Sequence, residues 1–141
     1  MMEHKSRRIA GILFVVFPTV VYGGYALLSL LIDPTSKYMS NPLRQNLWRA
    51  GHAHAAVLLI LALVVLRYVD EARLNDTMTR IVRFSVPAGA FLLPAAMFLS
   101  VASPDATAPN ALIGLAPVGA IFIGIGLFVL GIGLLKPPRA V

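Results

Sequence analysis

The chain has 141 residues, 58% of them hydrophobic and 13% charged, with no cysteine and a formal net charge of +6. A soluble domain carries roughly twice that share of charge, so the composition points to one all-α integral membrane domain rather than a soluble globule. Without cysteine there is no disulfide, thiolate metal site or thiol nucleophile. The cations cluster at helix ends and resemble no nucleic-acid module, so nucleic acid is not an expected partner.

Crossing a hydrocarbon core of about 30 Å takes roughly 20 predominantly apolar residues. Four runs meet that length, at about 9–32, 50–69, 81–102 and 111–135. They predict a single domain over residues 1–141, four transmembrane helices in a bundle surrounded by the lipid bilayer. The first run is long and aromatic, without a convincing small-residue cleavage site after it, so it reads as a permanent helix rather than a signal peptide. It contains Pro18, Gly23 and Gly24, and the loop that follows holds Asp33-Pro34 and Asn41-Pro42. The second run opens at Leu47-Trp48-Arg49-Ala50-Gly51-His52-Ala53-His54. The third carries Pro87, Gly89 and Pro94, where each proline removes a backbone donor and tends to kink a helix. Ser103-Pro104-Asp105 and Pro109-Asn110 mark the next loop. In the fourth, glycines recur at 119, 124, 126, 131 and 133. The pairs 124/131 and 126/133 are seven apart, which returns a small residue to nearly the same face and permits close helix contact. Lys136-Pro137-Pro138-Arg139 ends this helix.

Orientation follows from lysine and arginine, which are in excess in cytoplasmic loops. Lys5, Arg7, Arg8, Arg67, Arg73, Arg80, Arg83, Lys136 and Arg139 all fall at one end of the helices; only Lys37, Arg44 and Arg49 fall at the other. Both termini are therefore expected in the cytoplasm, with the two histidines toward the outer face.

Ionisable groups inside a membrane are costly and mark functional sites, which singles out His52 and His54. Residues two apart on a helix differ by about 200° around its axis, so the two imidazoles cannot serve one metal from the same helix. Gly51, Ala53, Ala55 and Ala56 make the surroundings slim, which suits a flat macrocycle on an axial imidazole. Arg49, one turn earlier, is a candidate partner for a propionate. A zinc or non-haem iron site would call on three or four ligands, and no acidic residue lies inside the four runs. Haem needs only one imidazole, because the porphyrin supplies the other nitrogens. The competing reading is that both histidines hydrogen-bond loop carbonyls or headgroups.

Gly11-Ile12-Leu13, the stretch from Trp48 to His54, Ser103-Pro104 and Leu115-Ala116-Pro117 together resemble the styrene oxide isomerase family, small four-helix bacterial membrane enzymes that carry haem b and rearrange an epoxide to an aldehyde. The resemblance covers most of the chain through short motifs. It implies haem b as cofactor, a place in the bacterial inner membrane, a homo-oligomer of the trimeric kind, and a small hydrophobic ligand. It also implies that the histidine after arginine-alanine ligates the iron. The apolar register maps that histidine onto His54; the arginine-alanine pair alone maps it onto His52. The expected haem site is thus His54 as the iron ligand, with His52, Arg49, Gly51, Ala55 and Met97 about it.

Two positions depart from the family. An asparagine six residues beyond the ligand and a tyrosine seven before the serine-proline proline act on the epoxide there; here they read Ile60 and Met97, which cannot hydrogen-bond an epoxide oxygen. The expectation is a haem-dependent, isomerase-like protein with weak or altered epoxide isomerase activity and no assigned catalytic residue. The alternatives are a non-enzymatic haem-binding redox or sensor protein, for which Met39 or Met97 would be a second ligand, and a small transporter without haem, for which intramembrane carboxylates and repeat symmetry are missing.

Overall fold

In the computed structural model, residues 2–137 are described. Pro138 and Arg139 of the expected C-terminal stop lie outside them. Four long helices carry the fold: α1 (His4–Ile32), α2 (Pro42–Tyr68), α3 (Asp76–Leu99) and α4 (Leu115–Leu135). No strand occurs among the described residues. The four helical segments contain 18-residue windows of mean hydropathy between 1.6 and 2.6, so all are long and apolar enough to cross a membrane.

Helices α2 and α3 start earlier than the apolar runs, and the reason is capping. The Asn41 side chain accepts from the Arg44 amide at 3.0 Å, and Pro42 takes the first helical position. An asparagine cap followed by proline is a strong helix start, because the cap satisfies a free amide and proline has none to leave unsatisfied. Hence α2 begins eight residues before Ala50. Asn75 likewise caps α3 through the Met78 amide at 2.8 Å, so that α3 begins at Asp76, five residues before Ile81. Asn110 accepts from the Leu112 amide at 2.9 Å and opens a short 3-10 turn over Ala111–Gly114 that leads into α4.

Each helix packs chiefly on its neighbours in sequence, α1 on α2, α2 on α3 and α3 on α4, with slight contact between α2 and α4. The row wraps around a core that includes Leu13 of α1, Leu59 and Leu66 of α2, Val82 and Val86 of α3 and Leu130 of α4. It is a more open arrangement than a bundle sealed by extensive contact between its first and last helices. On α1 only Ser6, Ala10 and Leu13 are buried, so the rest of that helix leans on α2 alone.

Glycine decides the α3–α4 contact. A Cβ at Gly119 would lie 2.8 Å from the Leu93 amide nitrogen, and one at Gly126 would lie 2.4 Å from Val86 Cγ2. Gly119, Gly126 and Gly133 are buried at seven-residue intervals, whereas Gly124 and Gly131 have open space where a Cβ would stand. Only one of the two expected glycine pairs is therefore consumed inside the chain.

At the end of the row that holds the N-terminus, a buried arginine ties three segments together. Arg83, 4% exposed, donates from Nε to Ser6 Oγ at 3.0 Å, from Nη2 to Asp70 Oδ1 at 3.1 Å, and pairs with Glu3. Ser6 Oγ also donates to Asp70 at 2.8 Å, as does the Glu3 amide at 2.7 Å. Burial raises the Asp70 carboxyl, but these donors outweigh it and hold the group below the usual carboxylate value. The cost of burying the guanidinium is offset because most of its donors are satisfied.

Candidate functional site

Because α2 starts at Pro42, His54 stands about 18 Å along the helix, at 1.5 Å per residue, on a segment already fixed at both flanks. The flank toward α3 is aromatic. Trp48 Nε1 donates to the Phe98 carbonyl at 3.0 Å, its ring lies 6.0 Å from that of Phe98 and 6.1 Å from that of Tyr38, and the Arg44 guanidinium sits 3.9 Å above it. A cation over an indole face is favourable, more so when removed from water. Arg44 also donates to the Ala102 carbonyl at 3.4 Å. Trp48 was visible in the sequence as part of the histidine motif; Tyr38, Arg44 and Phe98 were not, since nothing in their spacing marks them as one cluster.

The two histidines leave α2 in opposite directions. His52 is half-buried against α1, where its ring lies close over Gly23-Gly24: a Cβ at Gly24 would be tight, 3.1 Å from His52 Nε2, and one at Gly23 would make ordinary contact, 3.6 Å from Nδ1. His54 is exposed on the outer face of the row. Its Nδ1 lies 2.7 Å from the Ala50 carbonyl oxygen. A carbonyl only accepts, so Nδ1 carries the proton in this bond, and in the neutral ring the lone pair is on Nε2. The same contact fixes the ring, which is how backbone carbonyls commonly orient metal-binding imidazoles.

The other expected site residues spread around α2. Gly51 is buried, and the space beside it is filled by α3: a Cβ there would meet Phe98 Cε2 at 3.1 Å and Met97 Cβ at 3.2 Å. Gly51 and Met97 are thus brought together, with Met97 half-buried in that contact. Ala55 is half-buried. Arg49 is exposed and lines a cleft between α1 and α2 with Leu27, Leu28, Leu31 and Tyr38. Five residues before His54, it points about 140° away from it and shares the side of His52. The face of His54 itself carries Ala50, Val57, Leu58 and Leu61, all aliphatic. Ile60 is 52% exposed.

The arrangement offers one outward imidazole, engaged through Nδ1 by a backbone carbonyl and set among aliphatic neighbours. Among the described residues no three histidine, aspartate or glutamate side chains gather as a metal cluster. One protein ligand suits a metal whose remaining positions come from a macrocycle, which is the fit expected of haem. Family models, curated proteins and solved structures gave no match to this chain.

Proposed function

We propose that the protein is a haem b-binding integral membrane protein in which His54 would hold the iron, of the kind exemplified by the styrene oxide isomerase family that its sequence resembles. The observation that carries this reading is the His54 ring, held through Nδ1 by the Ala50 carbonyl with Nε2 directed away from that bond. Gly51 is better assigned to helix packing and Met97 to the same contact, so the ligand set reduces to His54. Ala50 and Val57 are its neighbours on the same helical face.

The membrane in this proposal is the bacterial inner membrane. The end bearing Lys5, Arg7, Arg8, Arg67, Arg73, Arg80, Arg83 and Lys136 faces the cytoplasm, by the distribution of positive charge. His54 is exposed on a single chain, and Gly124 and Gly131 are open. Both features support a homo-oligomer, a trimer in the family's habit, in which a neighbouring copy covers the iron face.

Bound ferric haem would supply Lewis acidity toward an epoxide oxygen, the chemistry of epoxide-to-aldehyde rearrangement. The chain's own residues then do the following. His54 would hold the iron through its Nε2 lone pair, and the Ala50 carbonyl would raise the basicity of the ring and set its plane. Leu58 and Leu61 keep the face dry. Ile60 and Met97 offer no hydrogen bond to a developing oxyanion, so isomerase turnover is expected to be weak. That deficit favours a second reading, a haem protein with a sensor or redox role and no isomerase activity.

The test is the absorption spectrum of protein purified in detergent. Wild type and His52→Ala should show the Soret band of b-type haem, and His54→Ala should lack it. A colourless wild type overturns the proposal, and loss in His52→Ala alone moves the ligand to the α1-facing histidine.

A further inference from the structure

Between the last turns of α1 and the first turns of α2, Leu27, Leu28, Leu31, Tyr38 and Arg49 line a half-open cleft of about 200 Å³. Its polar lining is unmatched. Tyr38 is 1% exposed, yet its hydroxyl has no hydrogen-bond partner among the described residues. A buried donor without a partner is uncommon and calls for an explanation, such as a ligand. Arg49 likewise forms no ion pair among those residues.

The charge balance at this end of the row sharpens the point. It holds three cations, Lys37, Arg44 and Arg49, and two carboxylates, Asp33 and Asp105. Asp105 is taken by Lys37 at 3.4 Å, and Asp33 accepts from the Thr35 amide and hydroxyl at 2.8 and 2.7 Å. Arg44 and Arg49 are left with no acidic partner, both close enough to the Tyr38 phenol to act against the upward push of burial. The remaining wall is aliphatic. Leu27, Leu28 and Leu31 share one face of α1, since they are three and four residues apart.

We infer that this cleft receives the oxyanion head of an amphiphile, held by the Arg49 guanidinium and the Tyr38 hydroxyl, with its apolar chain laid along the three leucines. At about 30 Å³ per water the volume corresponds to about seven waters, enough for a head and the first methylenes. A free carboxylate with a medium-length chain and an anionic phospholipid present the same chemistry. The site is separate from His54, because Arg49 and His54 leave α2 on different sides, so it stands or falls independently of haem.

Trp48 is the chain's one tryptophan, and its ring lies 6.1 Å from that of Tyr38, so its fluorescence reports on the cleft. The experiment uses the full chain in nanodiscs of neutral phosphatidylcholine, titrated with decanoate and, separately, with uncharged decanol. Decanoate should change the emission saturably and decanol should not. Arg49→Gln should weaken decanoate binding about tenfold or more, as loss of a charge-assisted hydrogen bond implies, while Arg49→Lys retains part of it. Tyr38→Phe should weaken it several-fold without lowering the melting temperature, because the hydroxyl has no partner to lose. His54→Ala should bind decanoate as wild type does. If phosphatidylglycerol in the disc produces the same change and blocks decanoate, a lipid is the occupant; if decanoate binds unimpeded, a free carboxylate is. Equal responses to decanoate and decanol, wild-type affinity in Arg49→Gln, or no response to either anion would overturn the inference.

Discussion

The Ala50 carbonyl, by accepting from His54 Nδ1, separates two histidines that are chemically identical in the sequence. His52 fills a slot made by Gly23 and Gly24 and acts as packing; His54 keeps a lone pair on an exposed face. That they point apart was legible from the two-residue spacing. Which one is free was not, because the glycines that absorb His52 lie about 28 residues away on another helix. The same limit applied to Arg49, whose place in the α1–α2 cleft depends on α1. At this scale the catalytic expectation turns on Ile60 and Met97. In haem-loaded protein, conversion of styrene oxide to phenylacetaldehyde should be slow for wild type and should rise in an Ile60→Asn, Met97→Tyr double variant. Preorganised donors are commonly worth a hundredfold or more in rate, so an increase of about tenfold is a modest expectation. Met97 contacts α3's partner Gly51, so a Tyr there also tests whether the packing tolerates a ring. Efficient turnover by wild type would show that another group handles the oxygen.

Among the elements, α4 presents two glycine stripes with different fates. The existence of a period-seven pattern was plain in the sequence, but which stripe faces inward is set by where α3 sits. Gly119→Ala would push a Cβ to 2.8 Å from a backbone nitrogen that cannot turn aside. Overpacking of that kind typically costs about 1–3 kcal/mol, and the melting temperature should fall accordingly. Gly124→Ala meets no atom within 4 Å, and alanine is the better helix former by roughly 0.5–1 kcal/mol, so that variant should melt no lower than wild type. Gly124→Leu should instead impair oligomer assembly, measured as mass in detergent, while leaving the single chain folded. The helix starts teach a related lesson. Asn41-Pro42 and Asn75-Asp76 are helix-opening signals, but hydropathy placed the boundaries where the apolar runs begin rather than where the backbone coils.

For the molecule as a whole, four helices long and apolar enough to cross a membrane were legible in composition and run length, whereas the open row did not follow from either. Nor did the tie formed by Arg83, Asp70, Glu3 and Ser6, whose members lie up to 80 residues apart. It fastens α1 where that helix has its only buried residues. Removing one partner of a buried ion pair costs about 3–5 kcal/mol, so Asp70→Asn should melt well below wild type at pH 7. The pH dependence follows from the lowered Asp70 value. A folded-state pKa below the ordinary 3.8 gives stability that is full above that value and is lost as pH falls through the folded one. Wild type should therefore lose stability below about pH 4, and Asp70→Asn should show a flatter acid limb. Equal acid limbs in the two proteins would show that another carboxylate controls the transition.

Replacement of the proposed ligand by a diffusible one tests the haem assignment most directly. In His54→Gly, reconstituted with haem and examined by absorption spectroscopy, the Soret band of the bound species should be lost. Millimolar imidazole should restore it, as free imidazole takes the place left by the side chain, whereas wild type should hold its haem without added imidazole. A full wild-type spectrum in His54→Gly without imidazole, or no bound haem in wild type, would contradict the account.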